Sequence, residues 1–329
     1  ITGNTANGHG GGVAVINGAI ANLNGIDISS NAADLDGGDN GHGGGVYVNG
    51  TGSIVNAVNV KFEGNSASRG GAVAVAENGR FTSYAANSVQ NPCMTPGECT
   101  SFQGNSVSVL GGVFYAASEG QILAMHALIS HNGAPNSGLV ALANGGAHIE
   151  IEGSVVVKNG GEDLPANDLF HVAGLLDNTT RITLDHVTVA DNELTGSVIR
   201  NSNGHLSLKS SIVQEEAAVS SATNPESLAF ECLIVHETDS FSAGPTISID
   251  DPEFINPGAG NYHIKPTSPA IDYCYNAASL TVELGYDIDL EGRNYDDPNV
   301  TNLHGAFDIG ADEYRWDNDL IFMNGFEQE

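Results

Sequence analysis

One asparagine returns along this chain at near-fixed intervals. An apolar residue, two variable residues and Asn recur as Ile1-Thr-Gly-Asn4, Ile28-Ser-Ser-Asn31, Phe62-Glu-Gly-Asn65, Phe102-Gln-Gly-Asn105, Ile129-Ser-His-Asn132, Val156-Val-Lys-Asn159 and Val189-Ala-Asp-Asn192. The asparagines are 27, 34, 40, 27, 27 and 33 residues apart. The base unit is therefore 27 residues, lengthened three times by 7, 13 and 6. A period of this size marks a repeat architecture, in which each unit buries its apolar face only against its neighbours. A second motif follows the early asparagines: Gly10-Gly-Gly-Val-Ala-Val15, Gly43-Gly-Gly-Val-Tyr-Val48, Gly70-Gly-Ala-Val-Ala-Val75 and Gly111-Gly-Val-Phe-Tyr115.

Each unit holds three short apolar segments with the period-2 signal of strands, as in Val58, Val60 and Phe62. Strands this short cannot build hairpin cores, but coils stacked about 4.8 Å apart can cover one another. The expected fold is all-β: a right-handed parallel β-helix, a solenoid of about ten rungs, with an irregular C-terminal cap. Buried Asn at a fixed place can bond coil to coil as a ladder and can sit in a left-handed corner. The paired glycines would supply positive φ and room for the adjacent coil. Repeats are expected over 1–249, with insertions at 32–42, 85–100 and 160–168. The Pro-interrupted segment 250–316 reads as a cap continuous with the solenoid, closing its last coil, and 317–329 as a tail.

Charge narrows the function. Ten Lys+Arg face 40 Asp+Glu, a net charge of -30. Such a surface repels phosphate backbones, so no nucleic-acid partner is expected. No stretch reaches the roughly 18 apolar residues of a membrane helix, so no membrane-spanning segment is expected. Ile1 begins inside the repeat motif with no charged n-region before it, which suggests a removed leader or missing upstream chain. Cys93 and Cys99 share a loop bent by Pro92, Pro96 and Gly97, and are the first candidate disulfide. Cys232 and Cys274 are the second.

The motifs resemble known families. Phe62-x-x-Asn65 with Gly70-Gly-Ala-Val73 is similar to chlamydial polymorphic outer-membrane proteins and related β-helical adhesins. Asp251-Pro-Glu-Phe through Ser268-Pro-Ala-Ile-Asp272, then Asp287-Ile-Asp-Leu-Glu-Gly-Arg293 and Asp308-Ile-Gly-Ala-Asp-Glu313, resemble the closing segment of bacterial secreted β-helix proteins of the choice-of-anchor type. Leu320-Ile-Phe-Met-Asn-Gly-Phe-Glu327 is similar to an ending found on exported proteins of some gammaproteobacteria. The resemblances imply export, to the extracellular space or the bacterial cell surface. They imply no particular activity.

Catalytic motifs of β-helical polysaccharide enzymes are missing: there is no Asn-Thr-Asp and no Arg-Ile-Lys. His9 and His42 fall in one repeated string and suit a solvent-facing corner better than a metal pair. Asp287, Asp289 and Glu291 open like a calcium loop, but Pro298 stands where its closing Glu belongs. Asp34, Asp36 and Asp39 form a second acidic loop. Calcium is thus a candidate cation, with no cofactor required. Arg293 is expected to pair with Asp287, Asp289 or Asp308. Tyr47, Tyr84, Phe114 and Tyr115 suggest an outward aromatic strip.

The functional expectation is a non-catalytic, exported structural or adhesive solenoid that self-assembles head to tail into filaments. Its first coil, from Ile1, would pair with missing upstream chain, a strand from a partner, or a neighbour's apolar tail, Leu320, Ile321, Phe322 and Phe326. The alternatives are a carbohydrate-active enzyme, lyase or glycoside hydrolase, and a module that binds glycans without cleaving them.

Overall fold

The computed structural model describes residues 1–34, 38, 40–86, 99–161, 168–174, 179–222, 227–236, 246–274, 285–293 and 295–315. Within them the chain is all-β, with no α-helix and no helix long and apolar enough to cross a membrane. An eight-stranded sheet stacks Val13–Ile16, Val46–Asn49, Val73–Ala76, Phe114–Ala116, Ala141–Asn144, Phe170–Ala173, Ile199–Asn201 and Ser220–Ala222. A four-stranded sheet stacks Thr5–Ala6, Ala32–Ala33, Ser66–Arg69 and Ser106–Leu110. A fifteen-stranded sheet has two limbs, fused where His205–Gln214 and Leu228–Val235 run through the corner unbroken. The pairings in these three sheets are parallel and join a strand to its equivalent one repeat away, as Phe62 opposes Ile28 on one side and Phe102 on the other. This is the pairing of a parallel β-solenoid.

The apolar residue of each motif points inward. Ile28, Phe62, Phe102, Ile129, Val156 and Val189 are all fully buried and stack in register. The Phe62 and Phe102 rings stack at 4.7 Å. Three residues on, the asparagines form a ladder. The backbone N–H and Nδ2 of each Asn both donate to Oδ1 of the next, at 2.8–3.1 Å from Asn4 to Asn192. Nδ2 also donates backwards, to the carbonyl of the apolar residue one coil earlier, as Asn132 does to Phe102 at 2.8 Å. Each buried amide is thereby satisfied, which its burial demands.

The left-handed corner is not the asparagine. Positive φ falls on the residue before it: Gly3, Ser30, Gly64, Gly104, His131, Lys158 and Asp191. That bend aims the Asn side chain along the stack. The glycine corner divides its labour between two residues. Gly43 has φ +70, while a Cβ on Gly44 would lie 2.4 Å from the carbonyl oxygens of Gly71 and Ser66 in the next coil.

The C-terminal segment packs along the flank of the limb that runs from Asp27–Ser29 through Lys61–Glu63, Thr100–Gln103, Ala127–Ser130 and Val155–Val157 to Thr188–Ala190, where the sequence suggested a lid over the last coil. Phe254–Asn256 and Asn261–Ile264 form an antiparallel pair around Pro257–Ala259. Tyr262 packs on Val157 and Ala190, and its hydroxyl donates to Asp191 at 2.7 Å. Ala311 N–H donates to Thr188 Oγ1, and Gly310 N–H to the Ser210 carbonyl. The reason is written in the outward residues of that limb. They are polar early, Asp27, Ser29, Lys61 and Glu63, and apolar later, Leu128, Val155, Val157 and Ile212. Apolar flank needs cover. Cys232 and Cys274 are disulfide-bonded with Cα atoms 5.9 Å apart, stapling strand to cap. By chain entropy, a bridge across a sequence separation of 42 contributes about 4 kcal/mol. Cys99 is also disulfide-bonded; Cys93 lies outside the described residues.

The ladder makes position-dependent demands. Asn132→Ala would strand the buried Asn105 N–H and remove the donor to Phe102, destabilising by about 3 kcal/mol. Asn4→Ala, at the exposed end, should cost under about 1 kcal/mol. Urea unfolding of both variants checks the ratio; equal losses would show that the ladder carries no buried hydrogen-bond energy.

Candidate functional site

Beyond Asn192 the ladder meets a carboxylate. Asn192 N–H and Nδ2 donate to Glu215 Oε1 at 3.1 and 2.6 Å. Glu215 is buried, and burial raises its pKa to about 7 despite those two donors. The sequence search for Asn passed over it, because the step is only 23 residues and the residue type changes.

The expected metal loop is distributed differently. Asp287 Oδ1 accepts the N–H groups of Asp289 and Glu291, so it organises the turn. Glu291 lies 3.8 Å from Arg315. Asp289 turns to His263, whose Nε2 is 2.5 Å from its Oδ2. With Asp312 these two offer ligand atoms within 4.8 Å of one another. Asp34 φ is positive and its Oδ1 accepts Gly38 N–H; Asp36 and Asp39 lie outside the described residues. So do Leu320, Ile321, Phe322 and Phe326.

Arg293 is 1% exposed. Its hydrogen bonds go to the carbonyls of Tyr286 and Ala311, rather than to the carboxylates expected from the sequence. Irregular cap backbone has carbonyls without sheet partners, and the guanidinium supplies their donors. The buried carboxyls of Asp272, Asp287, Asp308, Asp312 and Glu313 share the cap with this one buried guanidinium. Burial raises the pKa of all five, to about 6 for Asp272 and about 7 for Glu313.

The outward face of the eight-stranded sheet carries two polar groupings. His9 and His42 rings lie 4.8 Å apart, and His9 stacks on Tyr47 at 4.5 Å. Arg69 donates to His42 Nε2 at 3.3 Å, which occupies the lone pair a metal would use. Burial, with His9 and Arg69 adding, lowers the His42 pKa to about 4. Tyr47 and Tyr115 sit here with Ala74 and Leu142, but Phe114 points into the core and Tyr84 lies on another sheet, so no aromatic strip forms. Adjacent strand residues such as Phe114 and Tyr115 face opposite ways.

Further along the same face four side chains make one hydrogen-bonded chain. Asp168 Oδ2 and Ser137 Oγ are 2.8 Å apart, Ser137 Oγ and His171 Nδ1 2.8 Å, and His171 Nε2 and Ser202 Oγ 3.1 Å. Register also sets Arg200 beside His171, as neighbours on adjacent strands. Sequence reading missed the grouping, since its members come from three different repeats and share no motif.

No protein-family model matches the chain, and no curated protein or solved structure matches it.

The buried carboxyls set an unusual pH response. Their folded pKa values lie above the unfolded ones, so the unfolded state binds fewer protons and stability falls as pH rises through about 6–7. His42, His148, His171 and His186, whose pKa burial lowers, act oppositely, but only below their unfolded value of 6.5. Between pH 6.5 and 8 the raised carboxyls of Glu215 and Glu313 contribute that fall in stability. Melting temperature should drop across that window, and Glu215→Gln should flatten the drop. A melting temperature that climbs from pH 6.5 to 8 would contradict the buried cluster.

Proposed function

We propose that this chain is an exported β-solenoid, secreted or held at a bacterial cell surface, serving as a structural or adhesive element that self-assembles head to tail. A right-handed coil of about ten rungs belongs to this reading; parallel crossovers take that hand in nearly all folds. One observation carries it: equivalent strands pair in parallel from coil to coil, and the asparagine ladder bonds each coil to the next in one sense, so the stack is a unit that coil can be added to.

The strand proposed to add to it is the apolar tail of a neighbouring copy, Leu320-Ile-Phe-Met-Asn-Gly-Phe-Glu327. A head-to-tail contact of this kind propagates into open filaments unless rotation closes a ring. Deleting residues 318–329 should reduce particle size in light scattering and expose the first-coil amides to hydrogen exchange. If neither changes, the tail does not pair with the first coil.

Calcium is the cation this reading includes. The charge of -30 is self-repelling, and divalent cations relieve such repulsion. Millimolar calcium should raise the melting temperature more than sodium at equal ionic strength. Equal effects would reduce the phenomenon to screening.

Adhesion to glycans fits the same surface role. The rival reading is a carbohydrate-active enzyme, a polysaccharide lyase or glycoside hydrolase; the hydrogen-bonded chain that ends at Ser202 is the polar grouping that bears on catalysis.

A further inference from the structure

We propose that Ser202 is a nucleophile for acyl transfer from an O-acyl ester, with His171 as its general base. This goes beyond the structural role and does not depend on it.

The proton positions along the chain are forced. The Asp168 carboxylate only accepts, receiving Ser197 Oγ–H on Oδ1 at 3.0 Å and Ser137 Oγ–H on Oδ2 at 2.8 Å. Ser137 has one hydroxyl proton and has given it to Asp168. Facing His171 Nδ1 at 2.8 Å, it must therefore accept, so Nδ1 carries the proton. A neutral imidazole has one N–H. Nε2 thus presents a lone pair, and the Ser202 hydroxyl at 3.1 Å donates into it. Burial, reinforced by Arg200, lowers the His171 pKa to about 4, so the imidazole is neutral and able to accept a proton at pH 7.

Exposure runs in the useful direction. Ser137 and Asp168 are each 4% exposed, while His171 and Ser202 are half-buried. The base is held from the buried side while its Nε2 meets the Ser202 hydroxyl, the pairing of a base with a nucleophile. Arg200 is the strand neighbour of His171, with NH1 3.5 Å from Asp168 Oδ2 and its side chain 47% exposed.

In the reaction, Ser202 Oγ bonds to the ester carbonyl carbon as its proton passes to His171 Nε2. The bond from that carbon to the alcohol oxygen breaks, and the alcohol leaves with the proton from Nε2. Water then attacks the acyl-Ser202 ester, giving a proton to Nε2. The carboxylic acid departs, and Ser202 recovers its proton from His171. Nothing is oxidised or reduced. Ser137 and Asp168 act as positioning residues, holding the imidazole in the tautomer that leaves Nε2 open.

The test uses the full chain with two probes, a fluorophosphonate and 4-nitrophenyl acetate. Peptide mapping by mass spectrometry should find the phosphonyl adduct on Ser202. Ester hydrolysis should fall about 100-fold or more in Ser202→Ala and His171→Gln, each retaining the wild-type melting curve. Wild-type hydrolysis should be flat above about pH 5 with an acid limb near pH 4, and Ser137→Ala should displace that limb. A folded wild-type protein with no adduct on Ser202 overturns the proposal, whatever becomes of the variants. So does hydrolysis unchanged by Ser202→Ala.

Discussion

The whole assembly hangs on an amide that bonds in three directions. Each ladder asparagine accepts from the coil before, donates to the coil after, and reaches back to the carbonyl of the apolar residue one coil earlier. The last contact matters most for register. It ties the polar ladder to the apolar stack of Ile28, Phe62, Phe102, Ile129, Val156 and Val189, three residues away. A slip of one residue would turn every strand's side chains to the wrong face and strand the amides in the core at once. Insertions are harmless wherever they leave this four-residue unit intact, which is why 7, 13 and 6 extra residues fit between coils.

The repeat was legible because its constraints are local in sequence. Ile129-Ser-His-Asn132 carries its inward residue, its corner and its ladder amide within four positions. The glycine corner was legible for the same reason. What escaped was whatever depends on packing between distant segments. Nothing near Glu215 announces that it will stand in for asparagine; only the position of Asn192 requires it. His263 gave no metal signal in its own neighbourhood, since Asp289 and Asp312 reach it from separate loops. The place of the cap was half-written. The change from Asp27 and Lys61 to Val155 and Ile212 on one strand face is a sequence pattern, but it is readable only once the coils are in register.

The cap gathers more buried acid than buried base, and the fold accepts this because the acids serve as acceptors. Asp308 receives the N–H groups of Asp272 and Tyr314, Asp287 those of Asp289 and Glu291, Asp312 that of Ile264. Irregular backbone without a sheet needs such acceptors, just as Arg293 serves its carbonyls. The cap is therefore built the opposite way from the solenoid: side chains satisfy backbone where backbone satisfies itself elsewhere.

The ladder also has a direction. Along the ladder from Asn4 to Asn192 each side-chain amide gives one hydrogen to the next amide oxygen and presents its own oxygen toward earlier residues. The aligned amides form a dipole along the stack, positive where the last donors emerge, as at an α-helix N-terminus. The fold places the Glu215 carboxylate there. The opposite face of each coil presents an amide oxygen, as at Asn31 toward Asn4, so the two faces of a coil are not interchangeable. A coil added ahead of Asn4 continues the stack only if it brings hydrogens to the Asn4 amide oxygen, and a coil added in reverse would set oxygen against oxygen. The stack therefore has a built-in polarity of growth, independent of sequence elsewhere in the coil.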